Sequence, residues 1–502
     1  METVSNNDLA VADSETPPAD VPARGGARRT ALNVASMLTT NVMRKGSTFV
    51  LYALVARYLG AYQFGQFALA NVLLYSWQRC AQLGLQTLIT REVARDHDAT
   101  ARYLVHSHVV GIAASAIGFA LAVGFVNLMG YSDDTARVIL VMFVGLAPFV
   151  LNQMCEGVLQ GWERMHLIAY ASVPVSVLKV VAGFVILERG YGILALALVI
   201  AATHGAQLLL QWILIGTSLG WPRAKFQFGF AVNMVRDSFA FLGIQSLQAV
   251  RTGIIAVVLS KFSGEIAVGL YSAAAQLLIP LTLIFNNVSL SLFPVMCRSF
   301  DLGMKQLAQV ARRTMEGLML IALPAVVGLF LLADGVLLMI YGNGQFAASA
   351  TVLQIIVWLP LQNAMTSVMG QTLWASKHEK LSLRISFVNT VLQAIVSVVF
   401  ISQFGLMGAA ASALLVGVVN LAQHYIPVAR LFSGQRLFTA LRRPILATAV
   451  MAAVVYWSSH LNLLLAIATG AAVYCCAVML LFIWSAGGLH QFKGRCVQIW
   501  TS

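Results

Sequence analysis

The chain alternates long apolar runs with short charged or Gly/Pro-containing segments. Runs at about 32–58, 64–88, 104–128, 137–159, 167–187, 191–216, 238–260, 266–296, 314–341, 350–375, 381–401, 405–429, 443–459 and 462–485 are each of a length to carry a helix across a hydrocarbon core roughly 30 Å thick. The pattern predicts an all-α polytopic membrane protein of about fourteen transmembrane helices, with both ends on one side. The first run is the least uniform. Asn33, Ser36, Thr40, Arg44 and Ser47 recur at spacings of three and four, with Asn41 and Thr48 beside them, so one side of this helix is polar along most of its length. Such a stripe predicts the wall of a solvated cavity; the alternative is a helix packed on its neighbours through small hydroxyl residues.

Composition sharpens the class. Of 502 residues 59% are hydrophobic and 10% charged, against about 25% charged in a soluble domain. The net charge of +13 is spread by topology and forms no soluble basic patch, so no nucleic-acid partner is expected. About 23 of the 32 basic residues fall in the tail, the C-terminus and the loops on their side. The opposite loops hold only Arg57, Arg137, Arg189 and Lys261. By the positive-inside rule both termini are cytoplasmic. Residues 1–30, acidic and proline-containing and then basic at Arg24, Arg28 and Arg29, have no apolar stretch before a cleavage site and read as a disordered cytoplasmic tail.

The six cysteines form no CxxC and no metal-ligand spacing, and read as packing residues. His204 and His424 lie in spans without a repeated partner and read as packed, hydrogen-bonded side chains. GxxxxGK, HExxH and GxSxG are all missing, and the outer loops span only about five to ten residues. No cofactor, no metal and no enzymatic activity is expected. A membrane glycan polymerase or ligase would need a sizeable outer catalytic loop.

The sequence also repeats. ALVARYLGAYQFGQFALANVLL (Ala53 to Leu74) aligns with VVLSKFSGEIAVGLYSAAAQLL (Val257 to Leu278), placing Gly60 on Gly264 and Gly65 on Gly269 at an offset of about 204. YGILALALVIAA (from Tyr191) resembles FGLMGAAASALL (from Phe404) at about 213. Spans 1–6 and 7–12 are therefore read as two parallel six-helix repeats, with a substrate path between them and two further C-terminal helices. The expected divisions are 31–220 for the N-lobe, 221–440 for the C-lobe, 441–488 for the extra spans and 489–502 for a cytoplasmic C-terminus. At the first offset Asn41 maps to Gln245, Arg44 to Gln248, Ser47 to Arg251 and Thr48 to Thr252, which predicts that spans 1 and 7 present matching polar faces to one central cavity.

Intramembrane charge then points to cargo. Arg44, Lys45, Arg79, Lys179 and Arg251 face only two carboxylates, Glu156 and Asp334. Each cation at mid-bilayer costs about 2.5–3.5 kcal/mol on insertion scales, so the surplus calls for an anion. A phosphate or pyrophosphate fits, because the guanidinium fork binds its oxygens in bidentate fashion. Arg44 and Arg251 are the first candidates as ligands, followed by Arg79, Lys45 and Lys179. Glu156 is either a coupling site or the structural partner of one of these cations; Asp334 is a coupling site or merely solvated.

VARYLGAYQFGQFALA, GLQTLITREVAR and GVLQGWERMHLIAYAS, with the later YGILALAL and FGLMGAAASALL, resemble the oligosaccharide flippases of bacterial polysaccharide biosynthesis, within the multidrug/oligosaccharidyl-lipid/polysaccharide exporter superfamily. The resemblance covers about residues 32–430. It implies two lobes around a V-shaped cavity that alternately opens to either side of the inner membrane. It also implies undecaprenyl-pyrophosphate-linked oligosaccharide as cargo, with membrane lipids and polysaccharide polymerase machinery as partners. Lipid II flippases share the fourteen spans and cationic cavities. A cation-coupled multidrug exporter of the same fold is the competing reading, and it is disfavoured because spans 1 and 7 carry no interior carboxylate.

Overall fold

The computed structural model describes residues 23–342, 344–432, 441–458 and 462–485, and it does not describe the side chains of 23–31, 240, 241, 244, 245, 248, 482, 484 and 485. Gln245 and Gln248 are thus placed by backbone only, and the predicted cytoplasmic C-terminus lies outside the described residues.

The described chain is helical almost throughout. Three helices are far too long for one crossing: α1 (Ala23–Ala81) has 59 residues, α8 (Phe228–Ser291) 64 and α14 (Glu379–Leu431) 53. At 1.5 Å per residue a straight rod of that length would be about 80–95 Å, nearly three hydrocarbon cores end to end. Each is bent at one glycine with positive φ, namely Gly60 (φ 75°), Gly264 (77°) and Gly405 (54°). The chain folds back there. Tyr52 meets Phe67 with ring centroids 5.0 Å apart, where a straight helix would separate them by about 22 Å. Likewise Asn389 Nδ2 donates to Asn420 Oδ1 at 2.9 Å across the Gly405 turn.

The remaining elements are α2 (Leu85–Arg95), α3 (Thr100–Met129), α4 (Asp133–Phe143), α5 (Leu146–Gly161), α6 (Met165–Glu188) and α7 (Gly192–Leu219) in the first half. The second half adds α9 (Phe293–Asp301), α10 (Met304–Leu331), α11 (Ala333–Tyr341), α12 (Ala348–Ile356) and α13 (Leu359–Ala375), and the chain ends with α15 (Arg442–Ser458) and α16 (Leu463–Ser485). Nine helical stretches among the described residues are long and apolar enough to cross a membrane; α1, with its cations, and the 17-residue α15 are not among them. With α1, α8 and α14 each folded back at a glycine, and α4–α5 and α12–α13 each forming one broken crossing, the described helices have room for the fourteen passes expected from the sequence. α1 already begins at Ala23, inside the segment read as a disordered tail, because extending an existing helix costs far less than starting one.

The repeat is written into the backbone. Gly60 and Gly264 share φ/ψ of 75°/−180° and 77°/179°. Gly192 (φ 77°) and Gly405 (φ 54°) make the corresponding fifth-to-sixth-span turns. Glu163 (φ 54°) and Lys377 (φ 63°), left-handed although neither is glycine, end α5 and α13 about 214 residues apart.

The halves meet at the end carrying the Gly60 and Gly264 turns. A Cβ on Gly65 would stand 1.8 Å from Glu265 O, and one on Gly269 would stand 2.4 Å from Ala61 O. Residues 61 and 265 are themselves repeat partners, so the contact is reciprocal and the pseudo-two-fold axis passes through it. Around it Thr135 Oγ1 donates to Glu265 Oε1 (3.0 Å), Lys261 Nζ to Met129 O (2.7 Å) and Ala61 N–H to Gln345 Oε1 (3.1 Å). Phe64 packs edge-on against Phe346 at 5.6 Å. At the opposite end the connection between the halves is tied down by His106, whose Nε2 accepts the Gln227 N–H at 2.8 Å while Nδ1–H donates to Arg102 O at 2.6 Å. Outside the repeat, α15 and α16 pack on α10, where Tyr474 O–H donates to Leu320 O at 2.6 Å.

Candidate functional site

Much of the polar stripe of the first span is packed, although Arg44 and Thr48 border one space and Asn41 another. Asn33, Thr40 and Ser47 are buried, and the hydroxyls of Thr40, Ser47 and Thr48 turn back to their own helix, bonding Ser36 O, Arg44 O and Arg44 O. That side of α1 packs on α6, so the packed-helix alternative holds for most of the stripe.

Arg44 is paired, with Glu156 as its structural partner. Its guanidinium grips both oxygens of Glu156 from α5 and donates to Ser172 Oγ of α6 at 2.7 Å. Glu156 Oε1 also accepts from Asn152 Nδ2 (3.1 Å) and Gln211 Nε2 (3.3 Å), and Gln207 Nε2 donates to Ser172 Oγ at 3.0 Å. The Glu156 side chain is 3% exposed and that of Arg44 30%. Arg44 is therefore not an unpartnered cation awaiting cargo; a native carboxylate already neutralises it. Asn152, Ser172, Gln207 and Gln211 were not singled out by sequence. The signal was there, since Asn152–Glu156 and Gln207–Gln211 are polar pairs one helical turn apart in otherwise apolar runs.

Lys179 lies one layer further in. Its Nζ donates to Thr48 Oγ1 at 3.1 Å, and among the described residues it has no ion pair. Arg44, Lys179, Asn152, Ser176, His204 and Gln207 border a polar chamber of about 170 Å³ between α1, α5, α6 and α7, inside the first half rather than between the halves. His204, expected to be hydrogen-bonded, makes no hydrogen bond to a described residue and stacks edge-on against Phe149 at 5.2 Å.

The other cations lie elsewhere. Lys45, one residue round the helix from Arg44, is exposed and has no ion pair among the described residues. With Asn41 and Asn287 it edges an opening of about 340 Å³ between α1 and α8, otherwise lined by side chains such as Leu38, Phe49, Pro280 and Ile284. Arg79, whose guanidinium sits 5.1 Å from the Tyr75 ring centroid, is within electrostatic reach of Lys45. Arg251 is exposed on α8, without an ion pair among the described residues, and lies within electrostatic reach of His424. Thr252 beside it is exposed. Asp334 is exposed in the first turn of α11 and is not among the residues that contact Glu156 or border the chamber. No group of three or more metal-ligating side chains occurs among the described residues.

Comparison with known proteins places this arrangement. The model of the family described as polysaccharide biosynthesis protein matches residues 31–300. A probable low-salt glycan biosynthesis flippase, Agl15 of Haloferax volcanii, is 25% identical over 396 residues, covering 77% of this chain and 81% of that protein. A probable lipid II flippase, MurJ of Rhizobium tropici, is 23% identical over 366 residues, covering 68% of each. Among solved structures, an inward closed conformation of the lipid II flippase MurJ superposes with a TM-score of 0.75 at 14% identity, over 90% of this chain and 99% of that one. An inward-facing multidrug resistance MATE family transporter of the MOP superfamily matches at 0.61, over 80% and 100%.

Proposed function

The chain belongs to the polysaccharide biosynthesis protein family, and from that premise we propose that it is a flippase. It moves an oligosaccharide linked through pyrophosphate to undecaprenol across the bacterial inner membrane by alternating access of its two halves. Both termini lie in the cytoplasm on this reading, and the polysaccharide polymerase machinery receives the product.

The observation that carries the proposal is the positive surplus that outlasts the Arg44–Glu156 pair. Lys45 and Arg251 remain exposed and without an ion pair among the described residues, and Arg79 lies within reach of Lys45. A diphosphate supplies the complementary charge, and lysine and arginine are the side chains that bind it well. The α1–α8 opening suits such an amphiphile, with Lys45, Asn41 and Asn287 for the head group and apolar walls for the chain. Arg44 and Glu156 shape the scaffold behind these groups. A cation-coupled drug exporter would need an available intramembrane carboxylate, and Glu156 is fully engaged.

Lipid II flipping is the second reading, favoured by the similarity to the two MurJ proteins, and it requires the same head-group chemistry. The test is to replace Lys45 and Arg251 singly by alanine in a strain whose surface polysaccharide depends on this protein. Polysaccharide should fall severalfold with protein level unchanged, and normal polysaccharide in both variants would refute the assignment. Rescue of a strain depleted of its lipid II flippase would favour the second reading.

A further inference from the structure

Arg44, Glu156 and Lys179 of the first half have no charged counterpart at the matching positions of the second, although the second builds the same helical junction. At offsets of about 213–214 residues Glu156 corresponds to Gly370, Ser172 to Ser386, Lys179 to Gln393 and Gln211 to His424. The geometry agrees with the alignment. Glu156 receives Gln211, and a Cβ on Gly370 would meet the His424 ring at 3.9 Å. Among the described residues the hydrogen bonds at that junction join neutral groups, with Asn389 Nδ2 donating to Asn420 Oδ1 (2.9 Å) and Gln423 Oε1 (2.7 Å), and Gln393 Nε2 to Ser397 Oγ (2.8 Å), while Arg251 of α8 lies within electrostatic reach of His424. The fold therefore does not need an ion pair at this place.

Where charge does occur it does not balance. Arg44 and Glu156 cancel, leaving Lys179 with only Thr48 Oγ1 as an acceptor, and that hydroxyl already donates to Arg44 O. Arg44 and Lys179 are within electrostatic reach of one another and of His204, and no second carboxylate borders the chamber. An ammonium in such surroundings, without a counter-charge, is strongly disfavoured.

The chamber also has the room and the polarity for a hydrated guest. At about 170 Å³ it exceeds the roughly 10–15 Å³ that one water requires several times over. It is much too small for a glycan. Two amide oxygens of its lining residues, Asn152 Oδ1 and Gln153 Oε1, are buried without a partner among the described residues and call for water donors. A cation there would face Arg44 and Lys179, which repel it.

We propose that this chamber is a binding site for a small inorganic monovalent anion of halide size, held by Lys179 Nζ with support from the positive field of Arg44 and from chamber water. The site is distinct from Lys45, Arg79 and Arg251 and does not depend on which cargo they bind.

The test uses the full-length protein purified in gluconate at fixed pH and ionic strength, with gluconate exchanged stepwise for bromide while thermal unfolding is followed. Wild type should show a saturable rise in unfolding temperature, since an anion at a hundred times its dissociation constant shifts the unfolding equilibrium about a hundredfold. Lys179→Arg should keep the response and Lys179→Met should lose it. A response that does not saturate, or one that is equal in wild type and Lys179→Met, overturns the proposal. Should Lys179→Met fail to accumulate, anomalous diffraction from wild-type crystals grown in bromide decides: a bromine peak beside Lys179 Nζ supports the site and none there refutes it.

Discussion

Removing the carboxyl of Glu156 should destabilise the protein, and removing Arg44 with it should restore much of the loss. Glu156 is almost fully enclosed and accepts from Arg44, Asn152 and Gln211; in Glu156→Gln the new amide sets a donor among donors, and the guanidinium loses its counter-charge. Breaking a buried ion pair by deleting one partner costs about 3–5 kcal/mol. Because the Arg44 side chain is 30% exposed, the low end applies, about 3 kcal/mol for either Glu156→Gln or Arg44→Ala. The paired neutral variant Arg44→Ala/Glu156→Gln leaves no uncompensated charge. It should recover about 2 kcal/mol relative to the sum of its single variants, a coupling of the size seen for directly contacting residues. The assay is unfolding of the purified proteins in detergent, combined as a double-mutant cycle, with surface polysaccharide scored in parallel. If Arg44 were instead a cargo ligand held in reserve, Arg44→Ala would unfold like wild type while transport failed. That result, with a coupling near zero, would refute the assignment of Arg44 to the scaffold.

Three further outcomes follow from the geometry. Gly65→Ala, whose Cβ would overlap Glu265 O at 1.8 Å, should force the halves apart and raise thiol labelling of a cysteine placed at the buried Ser260, read in a background without native cysteines; unchanged labelling would contradict the close contact. His106→Phe removes the acceptor for the Gln227 N–H, an effect of about 1–3 kcal/mol, and should speed proteolysis within residues 220–227; cleavage at the wild-type rate would show that the connection is held by other groups. Gly60→Ala combines a backbone conformation essentially restricted to glycine (φ 75°, ψ −180°), costing about 1–3 kcal/mol for an L-residue, with a Cβ 2.5 Å from Gln345 Oε1, and should lower the unfolding midpoint more than Gly46→Ala, whose Cβ meets nothing within 4 Å.

Much of the architecture was legible because membrane insertion forces it into one-dimensional signals. Runs of about 20 apolar residues fixed the crossings. The Gly60/Gly264 alignment anticipated turns that share backbone angles in the structure, and the Tyr191/Phe404 alignment anticipated turns that both carry a positive-φ glycine. The wall of the site was harder to read. Helical phase says that Asn33, Thr40, Arg44 and Ser47 share a side, but not whether that side meets water or α6, since both environments tolerate hydroxyl and amide groups. Nor does spacing along one helix reveal that Glu156, over a hundred residues away, would close on Arg44, because that contact exists only once α1, α5 and α6 are packed. Lys45 became the exposed cation through a single step of about 100° around the same helix.

The bare backbone meeting of Gly65 with Gly269 constrains how the two halves can move. Neither strand of contact has a side chain that could slide, compress or change rotamer, so the pair behaves as a pivot pin rather than a cushion. Tilting about that pin would widen the bundle at its far end by breaking the contacts there, Ser76 Oγ to Ala249 O at 3.2 Å and Cys80 Sγ to Ser246 Oγ at 3.8 Å, whereas admitting anything past the Gly60 and Gly264 turns requires the pin itself to part.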